Sequence, residues 1–244
     1  MNMRDLINLC EGKQLVEMPT PTPEMKATRY FHGTKTTAAA ESIMAHGLKG
    51  VEVQKRGQLS PVAGRVYMTP SIQYATIYAL GGVLMGSTYF EQRPPEDRYG
   101  YVFVISGIDA DVQPDEDSIG EFAANHSVAV ENERRIRTGW RFDSNPSDPD
   151  NEEKRRVWTI IFNAMTPTQR VKAFDGYYAY QAAGGKRALK ILSDHDKMLL
   201  LKWGAHLAVA GVVSPSECWR IDKLRAKELA EDSSNFFEIA ERIR

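Results

Sequence analysis

Twice in its first eighty residues the chain runs an aromatic-rich strand into a polar turn and then a helix, and any fold it adopts has to seat both units. The first is Arg29-Tyr30-Phe31-His32-Gly33-Thr34-Lys35. Its aromatic residues favour a strand, and Gly33 breaks it. A helix follows, capped by Thr36 or Thr37, with Ala38-Ala39-Ala40-Glu41 as helix formers and Ile43 and Met44 as an apolar stripe. Gly47 stands where a left-handed closing residue is wanted, and Leu48 covers the end. The second unit repeats this logic. Val66-Tyr67-Met68 reads as a strand, Thr69 as an N-cap, Pro70 as a first helical residue, and Ile72 to Leu80 as the helix. Tyr74 and Tyr78 are four apart and share a face of that helix.

Around these units the organisation is coarse but readable. Residues 1–18 carry an amphipathic pattern and end in Pro19-Thr20-Pro21-Thr22-Pro23, which reads as an extended spacer. A strand is expected over Tyr101-Val102-Phe103-Val104-Ile105. Residues 126–151 are polar and read as a long loop or flap, whereas 152–204 read as helical throughout, with Thr166-Pro167-Thr168-Gln169 as a capping box. Two late strands are expected, one in the apolar run from His206 to Gly211 and one entered by Glu217. The expected division is 1–27 as an N-terminal segment and spacer, then 28–244 as one domain with a loop and helical insertion at about 123–204.

Composition narrows the classes. A chain of 244 residues with 42% hydrophobic content buries a full core without staples. A formal charge of −1 argues against a surface built to coat nucleic acid, leaving room for a local basic patch. The two cysteines, Cys10 and Cys218, have no metal or redox spacing, and the five histidines have no His-x-x-x-His or Cys-x-x-Cys company, so no metal site is expected. Without an apolar run near twenty residues or a secretory segment, the expectation is a soluble, cytoplasmic protein. Neither Gly81-Gly82 nor Gly184-Gly185 has the Lys-Ser/Thr sequel of a phosphate loop.

In order and local structure the two units resemble the His-Tyr-Glu branch of the ADP-ribosyltransferase superfamily, which includes poly(ADP-ribose) polymerases and diphtheria-type toxins. The rifampicin-modifying transferases are similar in their Tyr-x-His-Gly-Thr-Lys start and aromatic-x-Thr second motif. The resemblance covers roughly residues 29–122 and 205–224. It implies an α+β fold with a split antiparallel β-sheet core, flanking helices and a helical insertion. It also implies NAD as substrate, with nicotinamide released and ADP-ribose transferred to a macromolecular acceptor, most simply a protein. By this likeness His32 bonds to the adenosine ribose, Gly33 offers its backbone to the nicotinamide amide, and Tyr67 stacks on the nicotinamide ring. Thr34, Thr69 and Tyr78 complete the expected NAD-binding set, Tyr78 following Tyr67 by eleven residues.

The chemistry calls for a carboxylate as the third element, because departure of nicotinamide leaves an oxocarbenium-like ribose whose charge a fixed anion stabilises. Two places offer one. Glu217, in Val213-Ser214-Pro215-Ser216-Glu217, resembles the acid of polymerase-type members, with Asp222 five residues on, and is the first choice. Glu116, or a neighbouring Asp in Asp115-Glu116-Asp117, stands where rifampicin transferases carry theirs and is the second. Basic and aromatic residues from Arg134 to Trp158 offer a surface for an acidic or nucleic-acid acceptor, although acidic residues are interleaved with them. A phage or bacterial effector is the biological setting this layout would suit. The alternatives are an NAD glycohydrolase, an RNA 2′-phosphotransferase-like enzyme, and a non-catalytic binding or virion-associated module.

Overall fold

A computed structural model describes residues 18–50, 62, 64–81, 97–130, 139–225 and 236–243. Two antiparallel sheets form the centre of the molecule. The first has the order β1-β4-β10-β11, from β1 (Arg29–Thr34), β4 (Tyr99–Ser106), β10 (Glu217–Asp222) and β11 (Glu241–Ile243). The second has the order β3-β8-β5, from β3 (Arg65–Met68), β8 (Leu207–Ala210) and β5 (Val112–Pro114). They meet at one bridge, where Phe31 N–H donates to the Thr69 carbonyl at 2.7 Å and Thr69 N–H to the Phe31 carbonyl at 2.9 Å.

That bridge orients β1. In an antiparallel ladder, alternate residues direct both backbone groups to the same side. Phe31 faces β3, so Gly33, two residues on, also turns its N–H and C=O away from β4. Helix α3 (Ile72–Ala79) packs on this strand so closely that a Cβ on Gly33 would lie 2.0 Å from the Ala75 carbonyl oxygen. Only glycine admits that approach.

β4 explains its own sequence. Tyr101, Phe103 and Ile105 point into a core shared with Val66, Met68, Val112, Leu207 and Val209, while Val102 and Val104 pack on the opposite face with Ala75, Ala79, Ile221 and Phe236. A strand buried on both faces reads as a continuous apolar run. The first strand–helix unit closes as expected, with Thr36 capping α2 (Thr37–His46) and Gly47 ending it, after which β2 (Leu48–Lys49) pairs with β9 (Val212–Val213).

A third core lies in the helices α4 (Glu116–Asn125), α5 (Asn151–Ala164), α6 (Pro167–Phe174), α7 (Tyr178–Ala188) and α8 (Asp194–Lys202), where Ile119, Ala123, Val157, Ile161, Leu192 and Leu200 are buried together. Thr166 and Gln169 form the expected capping box, and Ser193 with Asp196 makes a second one. A 3-10 turn at Lys223–Arg225 and the short α9 (Phe236–Ile239) follow β10.

Several expectations need correction. Thr69 does not cap the second helix; it is taken up by the inter-sheet bridge, Pro70 precedes the helix, and Ser71 is the cap. The proline stretch is not a free spacer. Val112 N–H donates to the Pro19 carbonyl at 2.9 Å, and Thr22 caps the short helix α1 (Pro23–Ala27), whose Met25 is buried in the inter-sheet core. The packing thus crosses the expected boundary at residue 27, while residues 1–17 lie outside the described residues. Within 126–151, β6 (Ser127–Ala129) pairs with β7 (Trp140–Phe142), replacing the expected continuous loop. Arg134, Arg135 and Arg137 lie outside the described residues. The helical block begins at Glu116 rather than near 123, because Ile119 and Ala123 belong to its core.

Candidate active site

The cleft sits where the two sheets and the helical block meet, encloses about 210 Å³, and is lined by residues of β1, β3, α3, the first turn of α4 and the entry to β8. His32, Gly33, Tyr67, Thr69, Tyr78 and Glu116 all lie on its wall. Four elements widely separated in sequence therefore bring six of the eight expected residues into one cavity.

His32 is fixed by its ring. Its Nδ1 lies 2.9 Å from the Tyr67 carbonyl oxygen, which can only accept, so Nδ1 carries a proton. Burial lowers the imidazole pKa, outweighing that bond, which favours the charged form. The neutral ring with Nδ1 protonated leaves Nε2 as a hydrogen-bond acceptor.

Tyr67 is held at both ends. Its ring stands on β3, and its hydroxyl accepts from Val62 N–H at 2.8 Å and donates to Glu116 Oε1 at 3.0 Å. Burial first, then the neighbouring Glu116 charge, pushes the phenol pKa well up, so it remains a proton donor. Glu116 is the first residue of α4 and only 2% exposed. Its second oxygen, Oε2, is buried with no hydrogen-bond partner among the described residues. A buried acceptor left in that state costs about 1–3 kcal/mol or more, an expense characteristic of sites that bind something.

The flanking acids are partly buried, contrary to the ordinary reading of such a run as a solvated turn. Asp115 caps α4 by accepting from Asp117 N–H at 3.0 Å. Burial, then the charges of Asp117 and Glu116, raises its pKa well above the usual range. Asp117 is pushed up to about 6 by burial and then by Glu116, with Lys186 opposing. Its carboxyl holds a proton in the folded state at pH values where the unfolded chain has already lost it. Stability therefore falls as pH rises from the unfolded value near 4 toward 6, and the penalty is constant above that. Asp117→Asn is expected to be more stable than the wild type by an amount that grows over this window to about 2–3 kcal/mol at neutral pH. Chemical denaturation of both proteins at pH 4 and pH 7.5 checks it, and a gap that shrinks with pH would contradict it.

Two expected residues lie elsewhere. Thr34 ends β1 opposite Tyr101 and is not part of the cleft wall. Glu217, the first choice for the acid, opens β10 opposite Val104, on the far side of β4 from β1. It accepts from Trp219 Nε1 at 2.9 Å, pairs with Arg242 at 3.3 Å, and lines a separate groove with His46, Ser214 and Ser216. Of the two glutamates, Glu116 is the one that lines the cleft with His32 and Tyr67. His206, which the sequence reading passed over as the start of an apolar run, lines the cleft, its ring edge-on to Tyr74 with centroids 4.8 Å apart.

The basic and aromatic set of the helical block is largely consumed internally. Lys154 pairs with Asp148 and Arg156 with Asp196, and the buried Trp158 donates to the Ala123 carbonyl and to Ser127 Oγ. Among the described residues no helix is long and apolar enough to cross a membrane, and no group of three or more His, Cys, Asp or Glu is placed to hold a metal ion. No family model, curated protein or solved structure matches this chain.

Proposed function

We propose that the chain is an NAD-dependent mono-ADP-ribosyltransferase. The observation that carries the reading is the convergence of His32, Gly33, Tyr67 and Glu116 on one cleft, with the Tyr67 hydroxyl 3.0 Å from Glu116. His32 Nε2 accepts from a ribose hydroxyl. The Gly33 backbone, turned away from β4, supplies both a donor and an acceptor, the pair a carboxamide needs. Tyr67 and the half-exposed Tyr78 flank the nicotinamide ring.

Cleavage breaks the C1′–N bond, the electron pair leaving on the nicotinamide nitrogen. Glu116 Oε2 accepts from the nicotinamide-ribose hydroxyls, and its charge offsets the positive charge that grows on the sugar. A nucleophile then completes the C1′ bond from the opposite face. A protein acceptor fits better than nucleic acid, because Lys154 and Arg156 of the helical block are engaged in ion pairs with Asp148 and Asp196.

The test is nicotinamide release from NAD by the purified protein, with and without added cell lysate. Release that increases with lysate and falls by about 10²-fold or more in His32→Ala and Tyr67→Ala supports the transferase. Release independent of lysate points to a glycohydrolase. No release, with no NAD-induced rise in melting temperature, would leave only a non-catalytic module.

A further inference from the structure

We propose that His206 is a catalytic base of this site, taking the proton from the acceptor as its oxygen or nitrogen bonds to C1′; this rests on the transferase reading. His32 cannot serve in this way, because one of its ring nitrogens is already committed to the Tyr67 carbonyl and the other is assigned to ribose.

His206 is positioned as a base must be. Its backbone N–H donates to Ser118 Oγ at 3.0 Å, and its carbonyl accepts from Asp115 N–H at 2.8 Å. Both partners belong to the start of α4, on either side of Glu116, so the His206 backbone and the acid are held to the same turn. The ring lines the cleft and rests edge-on against Tyr74, yet among the described residues neither ring nitrogen is hydrogen-bonded. Burial lowers its pKa, which keeps the lone pair available at neutral pH.

The step balances without a further reactant. The C1′–N bond breaks with its electron pair leaving on nicotinamide, which departs neutral. An acceptor lone pair forms the new C1′ bond, and the acceptor proton passes to an imidazole nitrogen and from there to solvent. Glu116 takes no part in this proton transfer. Such a base matters for an acceptor that must lose a proton and not for one that arrives as an anion.

That difference supplies the test. The full chain is assayed with NAD and either methanol or azide as the nucleophile, following methyl-ADP-ribose and azido-ADP-ribose separately. His206→Gln is expected to lower transfer to methanol by about 10²-fold while leaving transfer to azide within about twofold of wild type. Retained azide transfer also establishes that the variant folds, and His206→Asn is expected to behave alike. An equal loss toward both nucleophiles, or no loss toward either, overturns the assignment. So does the selective pattern appearing in Asp117→Asn and not in His206→Gln. Failure of the wild type to release nicotinamide with either nucleophile overturns the transferase reading along with it, and is distinguishable because it needs no variant.

Discussion

Glu116→Gln lowers nicotinamide release by about 10²–10³-fold, whereas Glu217→Gln leaves it within about twofold. The two side chains differ in what surrounds them. Glu116 is 2% exposed, faces the His32 and Tyr67 cleft, and keeps one oxygen without a partner among the described residues. The amide preserves its shape and its bond from Tyr67 but removes the charge that an oxocarbenium needs. Glu217 is already paired with Arg242 and Trp219 on the other side of β4, where neutralising it touches no bound sugar. Steady-state release by the two variants, with folding checked by circular dichroism, decides between the acids. A dead Glu217→Gln beside an active Glu116→Gln would reverse the assignment.

Gly185→Ala damages the site from outside it. Helix α7 crosses α4 so closely that a Cβ at this position would lie 1.8 Å from the Glu116 carbonyl oxygen, a backbone atom that cannot swing aside. The helices must separate, at a cost of about 1–3 kcal/mol in stability. The shift moves the residue that carries the acid, and a displacement near 1 Å costs roughly 10²-fold in rate. Gly184→Ala is the internal comparison. The three atoms nearest its added methyl all belong to the side chain of Met165, a flexible group that yields, so a loss of under about 1 kcal/mol and little change in rate are expected. Denaturation midpoints and nicotinamide release for the pair measure both effects.

Local signals carried much of this architecture. Tyr30 to Gly47 and Val66 to Leu80 declare their strand–turn–helix character through glycine, threonine and aromatic placement, and Thr166 to Gln169 declares a helix start. The cleft residues His32, Gly33 and Tyr67 are legible for the same reason, since each sits in a short motif. The acid was not. Glu116 and Glu217 are both glutamates beside strands, and what separates them is whether β5 leads into the cleft or β10 stands beyond β4, a matter of long-range pairing. Thr69 and Pro70 mimic a helix start, but Ser71 takes that place because the Phe31 bridge claims the Thr69 backbone. His206 has no motif at all. Its place in the cleft depends on Ser118 and Asp115, about ninety residues earlier, meeting its backbone.

The place of β8 between β3 and β5 also governs when the cleft can assemble during the chain's own synthesis. Tyr67 and Glu116 emerge from the ribosome early, but β3, which carries Tyr67, and β5, which leads into Glu116, do not pair with each other; both pair with Leu207–Ala210, which emerges only after the entire helical block. A nascent chain carries the side chains of the cleft without the sheet that gathers them, so a chain interrupted in the helices carries no assembled cleft.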